Sequence, residues 1–259
     1  MVSSASPWRI LNRNTWTKGG GRVRPPGNDM TKITERGLIF NGEMVRAILD
    51  GRKTQTRRII KDWTVGRDSI SKFIQIGKKF IGCYPEDVPE LIRECCPYGV
   101  PGDRIWVRET FQGPLFDFEQ MEAYQEDSSK FKKPEFCVYK ADGKPAPEFF
   151  DADDNLHCGW RPSIHMPRWA SRITLEITGV RVEQLKSISE EEARSEGVAR
   201  LREGFWKHYQ PGWTQHQLSA RGSFATLWDS IYGSGEWDRN PWVWVVEFNR
   251  IEGDEHATN

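Results

Sequence analysis

Gly42 to Lys61 reads G-E-M-V-R-A-I-L-D-G-R-K-T-Q-T-R-R-I-I-K, and its two halves obey different local rules. In the first half Met44, Val45, Ile48 and Leu49 recur as one apolar helix face. Gly51 follows where a helix ends, because only glycine enters the left-handed conformation without a steric penalty. The second half sets Arg52, Lys53, Arg57 and Arg58 around Thr54, Gln55 and Thr56, before Ile59 and Ile60 restore apolar character. That half predicts either a solvated basic strand or a pocket lined with cations and hydroxyls.

Outward from this stretch the pattern is mostly strand. Arg36 to Phe40 predicts a first strand feeding the helix. Ile70 to Tyr84 predicts a hairpin turning at Gly77-Lys78, and Asp103 to Glu109 a strand with Ile105 and Val107 on one side. Ser171 to Gln184 alternates strictly, with Gly179 as a bulge or turn. Ser189 and Glu192 form a capping box that opens a helix to about Glu196. Phe224 to Tyr232 predicts another helix, and Val243, Val245 and Phe248 belong to a closing strand. Val88 to Gly102 reads as an irregular connector, and residues 112–158 as an insertion with a strand at Phe136–Tyr139 and a turn at Asp142-Gly143. Residues 1 to about 30 read as an unstructured basic leader, with Met30 as a natural start, and residues 253–259 as a frayed tail.

Composition narrows the function classes. The chain has 259 residues, and 37 Lys and Arg balance 37 Asp and Glu, so attraction to nucleic acid must be local. No apolar run approaches the ~20 residues of a membrane helix, and no secretory h-region is visible. Five cysteines without regular spacing predict a reducing, cytoplasmic setting rather than a disulfide scaffold. They make no C-x-x-C pair, so no metal site and no cofactor is predicted. The Asp151, Asp153, Asp154 loop lacks the glycine and distal glutamate of an EF-hand and reads as a solvated turn.

The G-R-K-T-Q-T-R-R run after a short amphipathic helix resembles the signature of the ASCH domain, a family related to the PUA RNA-binding fold. Four further segments resemble that family in order: Pro101 to Glu109, Ile188 to Gly197, Phe224 to Gly233, and Asn240 to Phe248. Trp160 to Arg168 is similar to a segment of the long form found in tailed phages and prophages, which would place the protein in a bacterial host cell. The resemblance implies a mixed β fold with short helices (α+β), namely a PUA-like β-barrel. It would occupy residues 31–252 as one domain with insertions near 62–100 and 112–158.

Two functions follow from the resemblance. It implies RNA or modified-nucleoside binding, in a pocket formed by the 52–58 segment, the strand ending at Glu109 and the helix around Glu196. Arg52, Arg57 and Arg58 would supply cations, while His165, Arg168 and Trp169 mix cations with aromatic planes on which bases stack. Glu109 reads as an ion-pair partner for an arginine of the basic segment, or as a contact to a base amine. The alternative is an amidohydrolase: Lys53, Thr56 and Glu196 align with the Lys, Thr and Glu of an ASCH enzyme that deacetylates N4-acetylcytidine. Thr56 would attack the acyl carbonyl, Lys53 would take its proton, and Glu196 would orient the lysine. Residues three apart on a regular strand face opposite ways, so Lys53 and Thr56 converge only across a bend. A third reading, phage morphogenesis, has no coat-like or coiled-coil feature behind it.

Overall fold

The computed structural model describes residues 33–60, 95–150, 155–212 and 214–251, together with the three strands at 63–65, 73–76 and 79–82. The expected leader, the tail from residue 252, the acidic loop at 151–154 and much of the 88–102 connector lie outside these residues. The chain is a mixed α+β structure.

In chain order the strands and helices are β1 (Glu35–Ile39), α1 (Gly42–Leu49), β2 (Gln55–Ile59), β3 (Trp63–Val65), β4 (Phe73–Ile76), β5 (Lys79–Gly82), β6 (Arg104–Arg108) and β7 (Phe111–Gln112). There follow α2 (Met121–Glu126), β8 (Val138–Tyr139), β9 (Glu148–Phe150), β10 (Leu156–Cys158), β11 (Thr174–Gln184), α3 (Glu190–Ser195), α4 (Ala220–Tyr232) and β12 (Trp242–Ile251).

The main sheet has the order β1-β6-β11-β12-β2. β1 runs parallel to β6, and the other neighbours are antiparallel. Among the described residues the ladder has two edges, β1 and β2, which do not pair with each other. A side chain spans the gap instead: Arg58 Nη2, from β2, donates to the Ile39 carbonyl of β1 at 2.7 Å.

β12 explains the apolar run W-V-W-V-V, because it is buried on both faces. Val246 and Phe248 join Ile105, Val107, Leu175 and Ile177 in a core capped by Val45 and Ile48 of α1. Val243 and Val245 face the other way, into a second core with Ala193 of α3 and Phe224, Leu227 and Trp228 of α4. This is the alternation a pleated strand imposes, used here to hold helices on both sides.

The register slips between Ile177 and Gly179, so the bulge expected at Gly179 is present. Within the hairpin expected at 70–84, β4 and β5 pair antiparallel with Ile76 opposite Lys79, the Gly77-Lys78 turn lying outside the described residues, and β3 adds a third strand that the sequence did not announce. The capping box forms with both of its bonds, Ser189 Oγ accepting from the Glu192 amide and Glu192 Oε2 from the Ser189 amide. The last helix begins at Ala220 rather than Phe224, because Ser219 caps it by accepting from the Gly222 amide. The strand expected at Phe136–Tyr139 is shortened to β8, since Pro134 to Phe136 form a 3-10 turn. Among the described residues no helix is long and apolar enough to cross a membrane.

Candidate functional site

The end of α1 starts the site. Asn41 caps its first turn, and at its C-terminus the amides of Arg52 and Lys53 both donate to the Ala47 carbonyl. Gly51 takes φ +72°, which lets the chain reverse there. From Lys53 the backbone runs alongside the end of α3. Lys53 and Glu196 form an isolated antiparallel bridge, the Thr54 amide donates to the Ser195 carbonyl, and Gln55 Nε2 donates to the Glu192 carbonyl. Gly197, at φ +86°, permits this approach: a Cβ there would lie 2.7 Å from Ala47 Cβ and 2.8 Å from Lys53 Cβ.

Lys53 is thereby carried inward. Its Nζ donates to the Gln55 carbonyl (2.8 Å), the Glu196 carbonyl (2.9 Å) and Glu196 Oε2 (2.8 Å), the full set of three protons an ammonium has to give. Its side chain is 0% exposed and that of Glu196 only 2%. Burial pulls the Lys53 pKa below its ordinary value, and the Glu196 carboxylate offsets that only partly.

The other oxygen of Glu196, Oε1, accepts from Arg57 Nη1 at 3.0 Å. Arg57 is fully buried and also holds Glu183 Oε1 through Nε (3.1 Å) and Nη2 (2.6 Å), with Glu192 Oε1 at 3.4 Å. Arg181 continues the chain by ion pairs to Glu183, Glu192 and Glu247. Lys53, Arg57 and Arg181 thus stand against Glu196, Glu183, Glu192 and Glu247, three cations to four carboxylates, so the cluster offers no excess positive charge.

Beside this network lies a cavity lined by Met44, Thr56, Arg58, Glu196, Trp228 and Tyr232, among others. Its apolar wall is α4, with Phe224, Leu227 and Ile231 facing the β2 residues. The volume is about 20 Å³, room for one water molecule and too little for a nucleobase. Thr56 is 1% exposed, and its hydroxyl makes no side-chain hydrogen bond to a described residue.

Thr56, Arg57, Arg58 and Glu196 thus line one cavity, and Lys53, which is not among its lining residues, joins them through Glu196, so Lys53 and Arg57 do not belong to a solvated basic strand. Lys53 and Arg57 face inward and are neutralised by carboxylates, and Arg52 is occupied by Asp50 and the Gly197 carbonyl. The physical reason is the α3 carboxylate cluster, which reaches the basic segment from more than a hundred residues away.

The rest of the expected binding set lies elsewhere. Glu109 is ion-paired, but with Arg172 (3.0 and 3.1 Å) rather than with the 52–58 cations, and Asp142 holds the same guanidinium. Burial raises the Glu109 pKa, and Arg172 pulls the other way without cancelling it. His165 is exposed in a 3-10 turn, Arg168 pairs with Glu35, and Trp169 packs against the small core of Phe111, Tyr139, Met166 and Ala170. None of these four lines the cavity. What sequence reasoning missed is α4. Trp228 and Tyr232 read only as part of the Phe224–Tyr232 helix, and nothing in their spacing tells a cavity wall from a packed core.

Among the described residues no group of three or more His, Cys, Asp or Glu is placed to hold a metal ion. A scan of protein-family models, a search of curated proteins and a search of solved structures each return no match to the chain.

Proposed function

We propose that the cavity beside Thr56 and Glu196 is the catalytic site of an amidohydrolase that removes an acyl group from the exocyclic amine of a modified nucleoside such as N4-acetylcytidine. The observation that carries this reading is the meeting of Lys53 and Glu196 at 2.8 Å, next to a cavity that Thr56 and Glu196 both line. The proposed PUA-like, ASCH-type barrel is supported by the sheet order and by Arg58, which bridges the two sheet edges.

The chemistry is acyl transfer to a hydroxyl. Thr56 Oγ attacks the acyl carbon while its proton passes to the neutral amine of Lys53. Burial favours that neutral form, and turning one of the three Nζ contacts loose provides the lone pair. The C–N bond then breaks as Lys53 returns the proton to the leaving amine. Water hydrolyses the threonyl ester, releasing the acid and restoring the hydroxyl. Glu196, fixed by Arg57, orients the lysine throughout. The cavity receives the acyl oxygen, with the rest of the ligand held outside it.

Binding of a modified nucleoside without cleavage is a second reading, favoured by the complete set of acceptors around Lys53 Nζ. The discriminating experiment is incubation with N4-acetylcytidine, followed by separation of the nucleosides. Cytidine appearing in proportion to protein concentration is the expected result. Saturable binding with no cytidine would replace the enzyme with the binder, and neither signal would remove both. A cytoplasmic setting fits Cys96, Cys137 and Cys158, which are thiols rather than disulfides.

A further inference from the structure

Two buried hydrogen-bond donors in the described structure have no acceptor and sit on residues that line the same cavity: the indole Nε1–H of Trp228 and the guanidinium Nε–H of Arg58. Trp228 is 2% exposed, so water outside the protein does not reach its indole nitrogen. Leaving such a donor without an acceptor is destabilising, and native structures rarely tolerate it without a reason. An indole nitrogen gives one proton and accepts none, and a guanidinium only donates, so what would satisfy either is an acceptor atom. The cavity holds about 20 Å³, the space of one oxygen-sized group.

We infer that Trp228 and Arg58 form a one-oxygen subsite that takes the acyl carbonyl oxygen of the ligand, a role that rests on the reading of this cavity as an acyl-handling site. Both donors are fixed before the ligand arrives. Trp228 packs against Tyr232 with ring centroids 4.3 Å apart and the planes tilted by 35°, and Arg58 is held at its far end by the Ile39 carbonyl and lies over the Phe40 ring. Preorganised donors in a water-poor site favour the oxygen most strongly when it carries developing negative charge, as it does when a hydroxyl adds to the carbonyl. Of the other lining residues Met44, Phe224, Leu227 and Ile231 are apolar and Glu196 is taken up by Lys53 and Arg57, which leaves the Thr56 and Tyr232 hydroxyls as the remaining polar groups.

The test observes the indole proton directly. In the 1H–15N spectrum of the wild-type protein, the Trp228 indole signal is assigned by its loss in Trp228→Phe, or from its contacts to Phe224 and Tyr232 if that variant does not fold. The probes are acetamide, N4-acetylcytidine and cytidine. A downfield shift of this signal with acetamide and N4-acetylcytidine, but not with cytidine, is the expected result. An equal shift with cytidine would put a ring carbonyl in the subsite and overturn the acyl assignment. No shift with any probe means a resident water only, and also overturns it. Trp228→Phe should lower kcat/KM for N4-acetylcytidine by about 10²-fold, the loss typical of one oxyanion donor. The two proposals fail separately. A shift with acetamide in a protein that releases no cytidine keeps the subsite and rejects the enzyme, whereas turnover with neither shift nor loss in Trp228→Phe keeps the enzyme and rejects the subsite.

Discussion

Lys53 Nζ and Glu196 Oε2 are 2.8 Å apart although 143 positions separate the residues, and neither side chain reaches solvent. Removing one partner of such a pair strands the other as a buried charge, at a cost of about 3–5 kcal/mol. Lys53→Met and Glu196→Gln should each lower stability by that much in urea unfolding, and the double variant by clearly less than the sum. Glu196→Gln should be the worse of the two, because Arg57 loses one of its carboxylate partners as well.

The same pair fixes a pH signature. Burial holds the Lys53 pKa below its ordinary 10.5, so between the two values the unfolded chain binds more protons than the folded one. Stability must therefore rise with pH across that window. The difference between wild type and Lys53→Met, measured by chemical unfolding at a series of alkaline pH values, should show the rise in the wild type alone. A flat difference would mean that the lysine does not titrate on unfolding.

At the start of the sheet, Asp103 accepts from the Thr34 and Val100 amides and pairs with Arg36 at 2.7 Å. Burial alone would lift its pKa, but the Thr34 and Val100 amides and Arg36 together bring it below 3.8. The stabilisation is thus present above 3.8 and lost as pH falls through the lowered value. Asp103→Asn should cost about 1–3 kcal/mol at neutral pH and flatten the acid limb of the stability profile.

Gly197→Ala tests the close approach that builds the site. A left-handed non-glycine residue is disfavoured by roughly 1–2 kcal/mol, and the added methyl would press on Ala47 and Lys53. Because Lys53 must move, the expected loss of activity exceeds what the drop in melting temperature accounts for. An active variant of ordinary turnover would separate the 53–196 bridge from function.

Thr56→Val removes a hydroxyl that has no side-chain partner among the described residues, so folding should be nearly unaffected. Turnover of N4-acetylcytidine should disappear, and combining it with Lys53→Met should add no further loss in rate, as for residues that act as a unit. Retained turnover in Thr56→Val would move the nucleophile to water.

Single-stranded RNA should bind weakly, with a shallow salt dependence, because the cations that would release counterions are buried against carboxylates. A filter-binding series at increasing salt measures the slope. A steep slope with tight binding would restore the polynucleotide reading.

The sequence announced the strands and caps well because those signals are local. The capping box at Ser189 and Glu192, the bulge at Gly179 and the glycine after α1 each act within a few residues, and each is found. Burial of Arg57 was not legible, since a basic run looks alike whether solvent or distant carboxylates surround it. Glu183 and Glu192 lie 126 and 135 positions downstream of that arginine, and only the pairing of β2 with β12 and the placement of α3 bring them to it. The part of α4 in the cavity was hidden for the same reason. Phe224, Leu227 and Trp228 follow helical spacing whether they fill a core or leave a small void.

Arg58 ties these observations together mechanically. One end of its guanidinium fastens β2 to the Ile39 carbonyl of β1, while its Nε has no acceptor among the described residues and its residue borders the cavity. A single rigid plane cannot turn toward an incoming molecule at one corner without changing its grip at the other. Occupancy of the cavity and the fastening of the sheet's two free margins are thus levers on one pivot, and amide exchange along β1 should report whether the cavity is filled.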